Sequence, residues 1–418
     1  MIHKHALLVD STAEEKAHQA FASSLRIFVL NDVAADMRAS YEHSARHEYA
    51  KRLGHLPRNA EEIHNAMWED PVFKVYSVLR HQAQQLTWSS VIPTIDRHAA
   101  DFPKLAAETE KTKAAEVGGS LTLNPNLEVP KSVSAIDVHL MPGNYHTDRG
   151  PEDLLQGALY DHGVGVFAMG LWGPKNDDIG QSIARWLKAK YPDFKPKKIL
   201  DLGCTIGCNT LPWKEIYPDA EVHAIDVAAP CLRWAYARGL ALGQAVHWHQ
   251  MDATKLDFAD ESFDLVWSSM FFHEVPLKGI KQVLKEAHRV TKQGGLMLHY
   301  ELPPNKLTDP YDGFYLDWDS YYNAEPFYKT FRDQDPEALC AEAGFPKAGF
   351  IQAVVPSLTS YGEKDFNAQI RGDGGVDAHT GRFAKHVKWF TFGNWKGAAP
   401  NKIEQPSGGV KTGSMLPS

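Results

Sequence analysis

Cysteine is scarce in this sequence: Cys204, Cys208, Cys231 and Cys340 are the four in 418 residues. Four thiols cannot staple a chain of this length, so no disulfide framework is expected, and the count fits a reducing compartment. Long apolar runs are missing too. None approaches the ~18 residues of a membrane span, and the first ten residues offer only Ala6-Leu7-Leu8-Val9, short of a secretory core. A cytoplasmic chain without membrane insertion is the expectation. Positive charge is also in deficit, with 44 Lys and Arg against 52 Asp and Glu and a net charge of −8. That balance argues against a nucleic-acid partner. What remains is 43% hydrophobic and 23% charged, the composition of a globular chain long enough for two or three domains.

Residues 1–150 read as a helical domain, suited to packing, homodimerisation or substrate selection. Ser11-Thr12-Ala13-Glu14 has the spacing of a capping box, with Ser11 as N-cap, and Asn59 with Glu62 repeats it. Asp70-Pro71 supplies an N-cap with proline in the first turn. Val72, Tyr76, Leu79, Ala83 and Leu86 then form one apolar stripe, and Pro93 interrupts the pattern that follows. Residues 104–117 are a charged, alanine-rich helix. From 118 to 165, glycine and proline predict loops. Two stretches there, Met141–His146 and Tyr160–Gly165, are rich in groups suited to facing a ligand.

An amphipathic helix over 176–191, with Ile179, Ile183, Trp186 and Leu187 on one face, leads into alternation. Lys198–Asp201, Glu221–Asp226, Val246–Asp252, Phe263–Ser268 and Leu296–Glu301 read as strands. Helical patterns lie between them, clearest at Ile280, Val283, Leu284, Ala287 and Val290. This predicts an α/β, Rossmann-like, doubly wound sheet over residues 151–398, mainly parallel. Phe350–Val355 and Lys388–Phe392 are expected to close it as an antiparallel pair. An aromatic insertion near 305–330 is expected to form a lid, an acceptor pocket or a core helix. Arg371-Gly372-Asp373-Gly374-Gly375 reads as a solvated loop, and residues 399–418 as a disordered tail.

The first strand of that series runs into Asp201-Leu202-Gly203-Cys204-Thr205-Ile206-Gly207. Gly203 and Gly207 allow close backbone approach, and the following helix start offers unpaired N–H groups. Asp201 in that corner repels phosphate and welcomes an amino group. The second strand ends in Asp226, placed to accept from a ribose diol, and the third in Asp252-Ala253, placed for an adenine. The fourth ends in Ser268, with His273 five residues on.

Together these motifs resemble the class I S-adenosylmethionine-dependent methyltransferases, whose glycine pattern is met by Leu200–Gly207 with Thr205 in place of the middle glycine. Ala224-Ile225-Asp226, Asp252-Ala253, Ser262–Trp267 and His288–Gly295 follow in the family's order. The resemblance covers about 165–302 and none of the first 140 residues. It implies S-adenosylmethionine as cofactor, held by Asp201, Gly203, Thr205, Gly207, Asp226, Val227, Asp252, Ala253, Ser268 and Tyr145. It implies methyl transfer to an O, N, S or C atom of a small-molecule acceptor, with His273 as general base or else a structural cap. A non-catalytic S-adenosylmethionine-binding module is the alternative from another class. A nicotinamide dehydrogenase is disfavoured, because Thr205 and Cys208 fall where its fingerprint needs glycine. Cys204 and Cys208 are read as small packing residues. His247 and His249, which share a strand face, are read as ordinary strand residues, and no metal is expected.

Overall fold

The computed structural model describes residues 5–372, 374–382 and 386–402; Asp373 of the expected loop and most of the expected tail lie outside them. Strands β1 (Ser120–Thr122), β2 (Lys198–Leu202), β3 (Glu221–Asp226), β4 (His247–Gln250), β5 (Phe263–Ser269), β6 (Thr291–Glu301), β7 (Phe350–Pro356) and β8 (Lys388–Trp395) form one sheet. Its order is β1-β4-β3-β2-β5-β6-β8-β7. The pairs from β1 through β6 are parallel, while β8 runs antiparallel to both β6 and β7. The expected Rossmann-like sheet with an antiparallel C-terminal pair is therefore present. The order reverses direction between β2 and β5, and the carboxyl ends of strands beside such a switch point are where open α/β sheets bind ligands.

Helices cover both faces, so the central strands are buried on both sides and read as continuous apolar runs. Helix Leu277–Val290 buries the five predicted residues Ile280, Val283, Leu284, Ala287 and Val290. Residues 13–117 are mainly helical, and one hydrophobic cluster joins Leu7, Trp88 and Phe102 to Trp213, Trp234 and Trp248 of the sheet region. A second joins Met37, Ile63 and Phe73 to Phe314, Tyr315 and Tyr328 of the aromatic insertion. That insertion forms helix Pro310–Tyr321, with the Trp318 ring stacked on His64 at 3.8 Å.

Four local expectations are corrected. The capping box is one residue on, with Thr12 as N-cap and Glu15 closing it. Helix Pro71–Arg97 continues through Pro93; a proline removes one backbone bond, and burial of Trp88, Val91 and Ile95 around it holds the helix together. Residues 118–165 are not all loop. Ser120–Thr122 adds β1 at the sheet edge, and Leu155–Phe167 is a helix. Its glycines serve packing, since a Cβ on Gly157 would collide with Trp234 and one on Gly163 with Trp88. Asp161 of that helix is buried, paired with His5 and Arg238, and so is withdrawn from ligand duty. Among the described residues no helix is long and apolar enough to cross a membrane.

Candidate active site

A cavity of about 420 Å³ opens at the carboxyl edge of the sheet. Its near wall contains Asp201, Gly203, Thr205, Asp226, Val227, Asp252 and Ala253, which the sequence had singled out through its strand ends and its family resemblance. Gly203 has φ +73°, and a Cβ there would enter the Phe271 ring, so backbone itself forms the wall. Thr205 adopts φ +50°, a conformation that strains a β-branched residue. The strain turns its amide onto Asp226 Oδ2 at 2.8 Å, while Ala228 N donates to Oδ1 at 2.9 Å. The Asp226 carboxylate is thereby fixed in orientation before any ligand arrives.

Gly207 and Ser268 take other roles. Gly207 has φ +79° and lies against the Trp248 indole, where a Cβ would clash; its close approach is to a side chain and not to the cavity. Ser268 is fully buried and shares a hydrogen bond with His299 Nδ1 at 2.7 Å. Strand side chains alternate, so its neighbour Ser269 is the one that lines the cavity.

Residues 199–295 match the family described as "Methyltransferase domain". The chain is 32% identical over 131 residues to malonyl-[acyl-carrier protein] O-methyltransferase of Pseudescherichia vulneris, covering 31% of this chain and 49% of that protein. It is 37% identical over 109 residues to demethylmenaquinone methyltransferase of Thermus thermophilus, covering 26% and 49%. Residues 199–295 carry a methyltransferase domain. The chain spans about half the length of these relatives. Among solved structures it is similar to Haemonchus contortus phosphoethanolamine N-methyltransferase 2 with S-adenosyl-L-methionine, at 18% identity and a TM-score of 0.36, covering 56% of this chain and 57% of that one.

Burial sets the electrostatics of the methyltransferase domain's cavity. It pushes the Asp201 carboxyl up to about 8, against the bond from the Thr210 hydroxyl and with Asp226 adding to it. Burial likewise pushes Asp226 up to about 6, against the amides of Ala228 and Thr205. Below those values the two carboxyls hold protons that a cationic ligand would displace.

His273 does not face the cavity. It is 1% exposed, with Nδ1 bonded to Glu301 Oε2 at 2.5 Å and Nε2 3.7 Å from Glu325. Glu301 in turn accepts from the amides of Phe271 and Phe272 at 2.8 and 2.6 Å. Burial opposes the imidazolium, but Glu301, with Glu325 and Glu274, overrides it and lifts the ring to about 9. A histidine already protonated at neutral pH and sealed from the cavity is no general base. It locks the turn after β5 in place.

The neighbouring residue does face the cavity. Glu274 Oε1 receives the Tyr145 hydroxyl at 3.1 Å and lies 3.2 Å from His139 Nε2, and all three residues line the space. On the other side of the ring, His139 Nδ1 lies 2.7 Å from the Asn323 side-chain amide and 3.5 Å from Glu325 Oε1. His139 has φ +58°, held there because its carbonyl accepts from both Gln84 Nε2 and Trp88 Nε1 at 2.7 Å. Sequence reading missed His139 and Glu274. The one signal was their closeness to two segments it did select, Met141–His146 and Ser268–His273.

Proposed function

We propose that this chain transfers a methyl group from S-adenosylmethionine to a small-molecule acceptor held inside the cavity. The observation that carries the reading is the convergence of Asp201, Asp226 and Asp252, from three successive strand ends, on one enclosed space. Asp201, Gly203, Asp226, Val227, Asp252 and Ala253 would hold the cofactor, with Tyr145 at its border. When bound, S-adenosylmethionine supplies a methyl group on a sulfonium, already an excellent leaving group. The protein's own work is positioning, exclusion of water and removal of the acceptor's proton. Glu274 takes that proton, and His139 and Tyr145 hold its carboxylate. The far wall, from the N-terminal helices and helix Pro310–Tyr321, gives the first 150 residues the task of selecting the acceptor.

The first experiment incubates purified protein with radiolabelled cofactor and a metabolite extract. Label in a small molecule supports transfer, whereas tight cofactor binding without transfer would favour a sensing module. S-Adenosylhomocysteine should raise the melting temperature, as any native-state ligand does, and NAD should not. Calorimetry that found NAD binding and no S-adenosyl ligand binding would overturn the reading.

Asp226→Ala removes a charged acceptor, and S-adenosylhomocysteine affinity is expected to fall by about 1.5–3 kcal/mol, roughly tenfold to a hundredfold. Wild-type affinity in a folded variant, titrated calorimetrically, would free Asp226 of that role. Binding is also expected to release protons. The ligand's amino cation favours ionised Asp201, whose carboxyl in the free protein titrates at about 8. Affinity should therefore rise with pH up to that value, by at most about tenfold per unit for one released proton, and level off above it. Calorimetry in two buffers of different ionisation enthalpy reads the proton count directly; a count of zero at pH 7 contradicts the assignment.

A further inference from the structure

The cavity gathers negative charge beside the proposed proton acceptor. Glu274 lines it, and so does Glu325, which follows helix Pro310–Tyr321 and is buried. With Glu301 they place three carboxylates around two imidazoles, those of His139 and His273. Even with both rings protonated, one negative charge is left over. Glu325 is the loosest member, 3.5 Å from His139 Nδ1 and 3.7 Å from His273 Nε2. Burial, with Glu274 adding to it, lifts the Glu325 carboxyl above its ordinary value against the pull of both rings. Two neighbouring polar groups are unsatisfied. Tyr328 and Asn323 line the cavity at 2% and 4% exposure, and the Tyr328 hydroxyl and Asn323 Oδ1 have no hydrogen-bond partner among the described residues. The Tyr328 ring lies 4.8 Å from that of His273, so both groups belong to the same corner.

Positive charge on the cavity wall is engaged elsewhere. Among the described residues no lysine lines it, and its two arginines are held by carboxylates: Arg80 by both oxygens of Asp319, and Arg382 by Asp312. Buried charges are ordinarily paired and buried polar groups ordinarily bonded. The groups left over here, two carboxylates, an amide oxygen and a hydroxyl, all accept hydrogen bonds. A primary ammonium offers three N–H donors and one positive charge, which meets both deficits. A neutral hydroxyl offers one donor and no charge, and an anion would add to the excess. The rings of Tyr145, Tyr300 and Tyr328 line the same space, and aromatic faces favour a cation.

Resting on the methyl-transfer reading, we propose that the acceptor is an amine, bound as its ammonium by Glu325, Asn323 and Tyr328 beside Glu274. Glu274 takes one ammonium proton, and the freed lone pair forms the N–CH₃ bond as the S–CH₃ bond breaks. The electrons of the broken bond stay on sulfur. The amine loses its proton more readily because a second positive charge, the sulfonium, is close. The product is a methylated ammonium, still a cation, and the proton on Glu274 passes to water.

The test supplies the full-length wild-type protein with a metabolite extract and with cofactor carrying an isotopically labelled methyl group, and locates the label in the purified product by NMR. A labelled methyl on a basic amine nitrogen is the expected result. Label on oxygen, sulfur, carbon or a non-basic nitrogen removes this inference and leaves methyl transfer standing. No label in any product removes both. Tyr328→Phe is expected to fold and to bind S-adenosylhomocysteine as wild type does, because its hydroxyl supports no other described group. Its KM for the purified amine should rise roughly tenfold, with turnover at saturation changed less. Glu325→Gln should raise the same KM by roughly tenfold or more. An unchanged KM in the folded variants overturns this site for the ammonium, and should Glu325→Gln not fold, Tyr328→Phe and the position of the label still decide.

Discussion

Glu274→Gln is expected to bind S-adenosylhomocysteine with wild-type affinity and to transfer label roughly 10²–10⁴-fold more slowly. Glutamine keeps the length of the side chain and an oxygen for the Tyr145 hydroxyl, now 3.1 Å from Glu274 Oε1, but it takes up no proton. The loss should therefore appear in turnover and not in cofactor binding, the pattern of an interaction made in the transition state alone. His139→Asn is the companion variant, because asparagine tolerates the left-handed backbone that His139 occupies at φ +58°. It should reduce turnover less, since it disturbs the carboxylate's partner and leaves the carboxylate. Near-wild-type transfer by folded Glu274→Gln would take the proton acceptor away from this position.

His273→Ala is expected to act on stability. The ring is the charged partner of Glu301, which is fully buried and otherwise bonded to the two amides of Phe271 and Phe272. Removing one member of a buried pair strands the other, at a cost of about 3–5 kcal/mol. Urea denaturation followed by circular dichroism measures it, and a loss below about 1 kcal/mol would show that the pair is not ionic. The pH dependence has a definite sign. The folded-state pKa of about 9 lies above the ordinary ~6.5, so His273 contributes its full stability below about pH 6.5. That contribution is lost as pH rises through about 9. His273→Ala should abolish this slope while S-adenosylhomocysteine still binds.

The two variants separate adjacent residues that the sequence could not tell apart. Both follow β5, and the histidine was the more familiar proton acceptor. The 3₁₀ turn Phe272–Glu274 sends one side chain inward to Glu301 and the other into the cavity, and no spacing rule anticipates which. Ser268 and Ser269 repeat the lesson on a strand, where a single step in register exchanges the core face for the ligand face. Gly207 was read as letting the backbone approach a ligand, but the group it approaches is the Trp248 ring, 41 positions further on.

The sequence by itself determined the alternation of strands and helices, the antiparallel C-terminal pair, the glycine turn after β2 and the acidic strand ends. These are local matters: hydrophobic period assigns each element, and a parallel sheet puts every strand's carboxyl end on the same edge, so residues at those ends must meet. Tertiary structure alone decided the wall opposite. His139 reaches Glu274 across 135 positions and Arg80 reaches Asp319 across 239. The second meeting arises because the N-terminal helices and the insertion after β6 share a hydrophobic cluster. Apolar pattern says that a helix face is buried but not against what, because hydrophobic attraction is non-directional and the partner is chosen by shape and packing.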